Sequence, residues 1–559
     1  LVAALAAAAV LFVIPRLRGS GSSEKLAITN ALMDEDGKVY ISTGGKTMTE
    51  LDVEAMNIRV TPDGSRVIVL DEDDSLWSFS TDGKSSFLIA EDVSSIDVCS
   101  DNYVIFYTFQ GETATIKTIL NQFLVDYNAR YHSHVTMDDV ETRFKEDYPD
   151  QTASDAEDFY RDFLDSYNGF AGRNRYVYAF GSNAPVLAKS DSLRASLDGS
   201  SLLYTFKGKV YVQNGGGDAE EIDSFDPEED SLYLYMIANG GSLAAWELQT
   251  DKGYDLYIME DGDVRCAASY SSEDHLYAYL NSNPNDTSEI FYAVSGTDSV
   301  YWRQQDGSEA DLDLDQELTS TSATFAEDLG GVLLYCRDSK DSSLEDLVLL
   351  TWDGDVNVLV RGISWVCGLQ DKTIVYVDSD GKLYAAELLD GDLTNKRKIA
   401  SDVNVNNVVL SKNGKYVYYL KDWNDSYGTL YACDLSEDDP EPIRVDKNVY
   451  YSYGSYLYLS ADGKSAAYYK SYSYDSDLRC STADLYFYTF GEDSQRVDRN
   501  VSRVYAADHR WFNAGELYYF TYDSTERIRG EQKVIGTFCL FDGEEVTEIQ
   551  DDLMLSRVR

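Results

Sequence analysis

The phrase Ser/Thr, any residue, Asp/Asn, Gly, then a run of β-forming residues recurs through this chain. It reads T-P-D-G from Thr61, S-L-D-G from Ser196, S-K-N-G from Ser411 and S-A-D-G from Ser460. Ser196 and Ser411 stand 215 residues apart, five steps of 43. A period of roughly 40 to 45 residues holding several strands predicts a β-propeller. That architecture hosts many unrelated functions, so the ligand has to be argued separately from the fold.

Strands and tight turns alternate almost throughout. Asp-Gly pairs at Asp36, Asp82, Asp261, Asp353, Asp380 and Asp542 supply the positive φ that short hairpin turns need. Continuous apolar or aromatic runs at 67–70, 202–206, 332–335, 373–377 and 416–420 suit strands packed on both faces. A second phrase follows such runs: Leu76-Trp77, Val210-Tyr211, Leu256-Tyr257, Leu383-Tyr384, Leu430-Tyr431 and Leu485-Tyr486. Each is expected on the next strand of its sheet, with the aromatic ring packing between blades.

The combination of S-x-D-G, apolar strand and L-Y resembles the TolB-type, WD40-like repeat of bacterial β-propellers. Residues 61–77 and 411–435 match it best; others, such as 295–306, keep the strand rhythm without the opening motif. The resemblance covers most of residues 29–559 and implies the propeller fold, not a ligand. About ten units of roughly 43 residues fit the chain outside one insertion, with 26–59 adding a partial unit. Common rings have roughly four to eight blades. The expected architecture is therefore all-β: four-stranded blades in one main ring with extra strands. A second small β-domain or an oversized ring are the alternatives.

Residues 111–170 break the β rhythm. Ile116, Ile119, Leu120, Phe123, Tyr127 and Tyr131 form one helical stripe. A second helix is expected from Met137, and a third opens on the capping box Ser154/Glu157 and ends at Gly169. Such a three-helix insertion in one blade reads as a cap or docking element. At the other end, residues 1–14 are apolar and alanine-rich. Fourteen helical residues span only about 21 Å of a hydrocarbon core of roughly 30 Å. They are expected to be the end of a membrane helix, tethered by residues 15–28 to blades at 29–110 and 171–559. Arg16 and Arg18 favour a cytoplasmic side, whereas large domains translocate regardless of a few charges. The expectation is a single-pass membrane protein with its propeller outside the cytoplasm.

Composition limits the partners. With 98 acidic residues against 47 basic ones, the net charge is −51. Such a surface repels nucleic-acid phosphates and anionic lipids. Seven cysteines are scattered without C-x-x-C spacing, which argues for buried thiols over a disulfide or zinc framework.

Chemistry-bearing residues are sparse. His132 and His134, near Asp138 and Asp139, offer metal donors, although H-x-H does not put both rings on one helical face. Asp34-x-Asp36-Gly37 and Asp378-x-Asp380-Gly381 carry the core of a calcium loop without its distal Glu; a hairpin turn explains both. No cofactor is expected, with calcium on several acidic loops as the exception to test. There is no G-x-S-x-G elbow, Walker loop or dinucleotide glycine motif. Paired carboxylates for glycoside hydrolysis occur by chance among so many acids.

Nine tyrosines lie between Val449 and Tyr474. Tyr453 and Tyr456, with Trp423, His509 and Trp511 near expected loops, are the candidates for aromatic contact with sugars or peptides. The expected role is non-catalytic: binding or scaffolding a protein or cell-wall polymer at the envelope. The alternative is a polysaccharide hydrolase or lyase using carboxylates in the propeller cleft.

Overall fold

The computed structural model describes residues 29–108, 174–270 and 331–555 apart from short gaps, and five strand segments between 278 and 326 by their backbone. Residues 1–28 and 109–173, and with them the expected membrane helix and three-helix insertion, lie outside the described residues. No helix among those described is long and apolar enough to cross a membrane.

The chain pairs almost entirely with its own sequence neighbours, as antiparallel four-stranded sheets. We letter the strands of each sheet a to d in chain order. Five sheets stand alone, at 93–188, 192–224, 231–270, 278–313 and 408–450. The others are fused through long strands that serve two sheets in turn. In Thr49–Val60, Glu54 pairs back with Lys38 while Ala55 pairs forward with Asp71. Val356–Gln370 changes partner at Ile363, and Gln495–Tyr505 changes at Val501. Divided at these points, the described residues make eleven blades, numbered here from the one containing Asn30–Asp34.

The first and last described strands meet in one blade. Leu553 and Met554 pair on one side with Gly536 and Ile535, and on the other with Asp34 and Met33. The last strand thus supplies the a strand of blade 1. Blade-to-blade cores follow sequence order from blade 7 through 11 to 1 and on to 5. Blade 6, described by backbone only, falls between the two ends of that series. Among the described residues the series runs without a break from blade 7 to blade 5, and the side-chain contacts of blade 6 lie outside them.

The b strands are the predicted apolar runs: 67–70 and 416–420 are buried without interruption. The L-Y phrases fall on c strands, as expected, and several of their rings stack on b-strand aromatics. Trp246/Tyr257, Tyr376/Tyr384, Tyr419/Tyr431 and Tyr468/Tyr486 have centroids 5.4–5.8 Å apart. The d strands, such as Glu220–Ser224 and Ile443–Tyr450, are mostly exposed, which puts them on the rim.

The S-x-D-G phrase is the a–b turn of blades 2, 4, 9 and 10. In each, the Ser/Thr hydroxyl donates to the Asp/Asn side chain two residues on, at 2.6–2.7 Å. The same oxygen accepts the N–H five residues on, at 2.9–3.0 Å. One side chain thereby satisfies the backbone inside a tight, partly buried turn. The turns also lock to one another: Asp63 N–H donates to Asp101, and Asn413 Nδ2 donates to the Asp462 carbonyl, at 2.7 Å each.

Candidate functional site

The opposite face carries the b–c turns and the joints between blades. A joint consists of one residue in the left-handed region followed by a buried aliphatic. Asp92, Asp402, Asn448, Asn500 and Asp552 have φ of 53–59°, and Val93, Val403, Val449, Val501 and Leu553 follow them into the core. Asp and Asn tolerate that conformation better than most residues. The first residue of the new blade then donates back to the b–c turn just left, as Val93 does to Asp74 and Val403 to Gly381.

The b–c turns explain the D-x-D segments. Asp34 Oδ1 accepts the N–H groups of Asp36 and Lys38, while its Oδ2 accepts the Tyr40 hydroxyl. Asp71 repeats this with Asp73, Ser75 and the Trp77 indole. Asp378 accepts the N–H groups of Asp380 and Lys382, and the Asp380 carboxylate pairs with the Lys382 ammonium. These carboxylates face hydrogen-bond donors, the arrangement of a turn. Among the described residues, no group of three or more acidic, His or Cys side chains could hold a metal ion. His132 and His134 lie outside them.

Blade 3 differs at this face. Its b strand ends at Thr108 and its c strand begins at Asn174, and those two residues are register partners. Residues 109–173 are thus one b–c connection. At its base, Arg175 is buried against Tyr107: Nε donates to the phenol oxygen at 3.1 Å, and that hydroxyl donates to Asp97 at 3.1 Å.

An aromatic cluster, two of its rings exposed and the others half-buried, sits where blades 9 and 10 join. Trp423 lies one residue from the end of the b strand of blade 9, Tyr416–Asn424, and Tyr427 opens its c strand. Tyr450 and Tyr451 follow the joint at Asn448, and Tyr472 and Tyr474 come from the long b strand of blade 10. Tyr450 stacks on Tyr472 with centroids 3.9 Å apart and an interplanar angle of 3°. Trp423 meets Tyr451 edge-on at 6.4 Å, and Tyr427 meets Tyr450 at 5.7 Å. Trp423 is 46 % exposed and Tyr474 58 %, in a chain that buries most of its large rings. Together they offer an apolar platform with polar edges, suited to stacking sugar rings or gripping peptide side chains.

Of the sequence candidates, Trp423 is on this platform. Tyr453, Tyr456 and His509 lie outside the described residues. Trp511 requires a correction: it is 1 % exposed and fills the core between blades 9 and 10. The a–b connection of blade 11 reaches back, and Trp511–Phe512 pairs in parallel with Leu459 and Ser460 on the inner strand of blade 10. Local sequence signals a loop there; a distant strand makes it core.

Sequence reading also missed a set of clasps between blades. Asp223, Asp446 and Asp498 lie on d strands at bulges. They accept the Trp246 indole N–H at 3.2 Å and the Tyr468 and Tyr519 hydroxyls at 2.8 and 2.9 Å, each from the b strand of the next blade. Burial, aided by those carboxylates, holds both phenols well above the usual tyrosine range. The signal was available: V-D-K-N-V from Val445 and V-D-R-N-V from Val497 are the same phrase.

No family model matches the chain, and no curated protein does. Solved structures similar to it include the tricorn protease, at 11 % identity and a TM-score of 0.29, over 95 % of this chain and 54 % of that one. The chain thus spans about half the length of that protease. The WD40 domain of SCAP from fission yeast is similar at 10 % identity and a TM-score of 0.29, over 65 % of this chain and 92 % of that one. The β-propeller domain of the Trilobed protease from Pyrococcus furiosus is similar at 10 % and 0.27, over 49 % and 98 %. At this distance the likeness carries nothing about activity; the propeller reading rests on the strand pairing above.

Proposed function

We propose that this chain is a TolB-like, membrane-tethered propeller at the cell envelope that binds a protein or cell-wall polysaccharide without turning it over. The supporting observation is the aromatic platform of blades 9 and 10. It stands at the end of the blades where the b–c turns lie, the end at which Thr108 and Asn174 also pair. Rings stacked on one another, as Tyr450 and Tyr472 are, keep their orientation, which lowers the entropy a ligand must offset on docking. The net charge of −51 makes a neutral or cationic partner the better match.

Purified wall polymer and envelope proteins captured by residues 29–559 provide the test. Trp423→Ala combined with Tyr474→Ala is expected to weaken retention at least about tenfold, as loss of exposed ring contacts does at other interfaces. Phe87→Ala, at an exposed ring on blade 2, is the control and is expected to change nothing. Equal retention by all three proteins would refute the assignment, and release of soluble sugar fragments would replace binding with hydrolysis or elimination.

A further inference from the structure

Trp423 and Tyr451 make a corner of two aromatic walls on the platform. Their planes stand at 87° with centroids 6.4 Å apart. Rings at that angle and spacing let one point lie within about 5 Å of both centroids, inside the roughly 6 Å over which a cation is attracted to a ring. Trp423 is 46 % exposed, so its side of the corner is open to solvent. The other wall is anchored through its backbone, because the Tyr451 N–H donates to the Ser426 carbonyl at 2.9 Å.

The charges beside this corner favour a cation. Asp422 precedes Trp423 and Asp475 follows Tyr474, and both are exposed. Lysines on the same strands are directed elsewhere. The Lys470 ammonium is held by both Asp446 oxygens at 3.1 Å. Strand alternation puts Lys421 with Val417 and Tyr419 on the blade 8 side, and Lys447 lies on the rim strand ahead of the joint. The net charge of −51 adds to the same field.

Hydrogen bonding selects the kind of cation. The walls are ring faces, and the Tyr427 hydroxyl nearby already donates to the Tyr472 carbonyl at 3.4 Å. A primary ammonium would give up water around N–H groups that ring faces satisfy poorly. A quaternary ammonium has no N–H and meets the rings with its methyl groups. We propose, resting on the platform being the chain's binding surface, that the corner of Trp423 and Tyr451 takes a trimethylammonium group of the kind choline carries.

Saturation-transfer NMR on the full chain, at constant total chloride, tests it with three probes. These are choline, its uncharged carbon isostere 3,3-dimethylbutan-1-ol, and Nα-acetyl-lysine amide as the primary ammonium. Choline is expected to bind with a Kd on the order of 1 mM, and the other two at least about tenfold more weakly. Trp423→Ala is expected to abolish the choline signal and Trp423→Phe to keep part of it. Asp422→Asn is expected to weaken binding roughly two- to threefold, as loss of an exposed charge does. Phe87→Ala is expected to change nothing. The assignment fails if choline gives no transfer at about 20 mM, a concentration well above that Kd. It fails equally if the isostere or the lysine amide matches choline, or if a folded Trp423→Ala binds choline as the unmodified chain does. Such a failure, with polymer or protein retention still lost in Trp423→Ala combined with Tyr474→Ala, removes the cation and leaves the platform as the binding surface. Unchanged retention in that double variant removes the platform itself.

Discussion

Replacing Gly463 by Ala probes how blade 10 docks on blade 9. Gly463 has φ +73°, and an L-residue held there costs about 1–2 kcal/mol. Its added Cβ would lie 2.4 Å from Ser411 Cβ, 2.9 Å from Ser411 Oγ and 3.0 Å from Tyr416 Cδ2. Carbon atoms prefer roughly 3.5–4.0 Å, so the turn must retreat by about 1 Å. Retreat strains two bonds that cross between the blades, Tyr418 Oη to the Gly463 carbonyl at 2.9 Å and Asn413 Nδ2 to the Asp462 carbonyl at 2.7 Å. With about 1 kcal/mol for each bond, the backbone term and up to about 1 kcal/mol of residual overpacking, the total is roughly 3–5 kcal/mol. Gly491→Ala is the matched control, with φ +86° and nothing within 4 Å of the added Cβ; it should cost only the backbone term of about 1–2 kcal/mol. Native-state hydrogen exchange at the amides of blades 9 and 10 reads the difference. Exchange in Gly463→Ala should be roughly 30- to 150-fold faster than in Gly491→Ala, the equivalent of about 2–3 kcal/mol. If the two variants agree within about 0.5 kcal/mol, the inter-blade contact contributes nothing and the reasoning is wrong.

Replacing residues 109–173 by an Asn-Gly turn should leave a folded propeller melting within about 5 °C of the parent, because Thr108 and Asn174 already pair; cooperative loss of the whole fold would make the insertion part of the core. Burial pushes the thiols of Cys336, Cys433 and Cys539 up to about 12, whereas Cys266 is exposed. One thiol should therefore react quickly with a disulfide reagent at pH 8 and none in Cys266→Ser, and a second fast thiol would contradict this. The Ser80 hydroxyl and the Lys84 N–H hold the Asp82 carboxyl down at about 2. Its stabilising contribution is complete above the ordinary carboxylate range and lost as pH falls toward 2. Ser80→Ala should move the Asp82 titration, followed by carboxyl NMR, back toward the ordinary value; an unmoved midpoint would remove the hydroxyl from the account. Since N–H donors already surround Asp34, Asp71 and Asp378, neither calcium nor a chelator should shift the melting temperature through these turns, and a calcium-dependent rise abolished by Asp378→Asn would overturn that reading.

The aromatic platform was half visible in the sequence. Its tyrosine density showed plainly, and Trp423 stands out beside a turn. Which rings meet was not legible, because Tyr450 and Tyr472 belong to different blades and stack only once those blades pack. Trp511 shows the same limit from the other side: its surroundings read as a loop, and pairing with Leu459, far back in the chain, turns it into core. The clasp and joint residues were legible in principle, since V-D-K-N-V and V-D-R-N-V repeat one phrase, but the clasp needs a neighbouring blade whose tyrosine donates to the aspartate.

Sequence by itself determined the blade. The a–b turn is written in Ser, Asp and Gly within four residues, the b strand in an unbroken apolar run, and the c strand in its leading Leu-Tyr. All of these act over distances of a few residues, where backbone preference and one side-chain hydrogen bond decide the conformation. Only the tertiary structure decided how the blades are joined, that Met33 meets Met554, and that Trp511 reaches back to the inner strand of blade 10. Those outcomes depend on where each sheet's edge lands against the next, and that is set by the packing of whole blades and by the pairing of the first and last described strands.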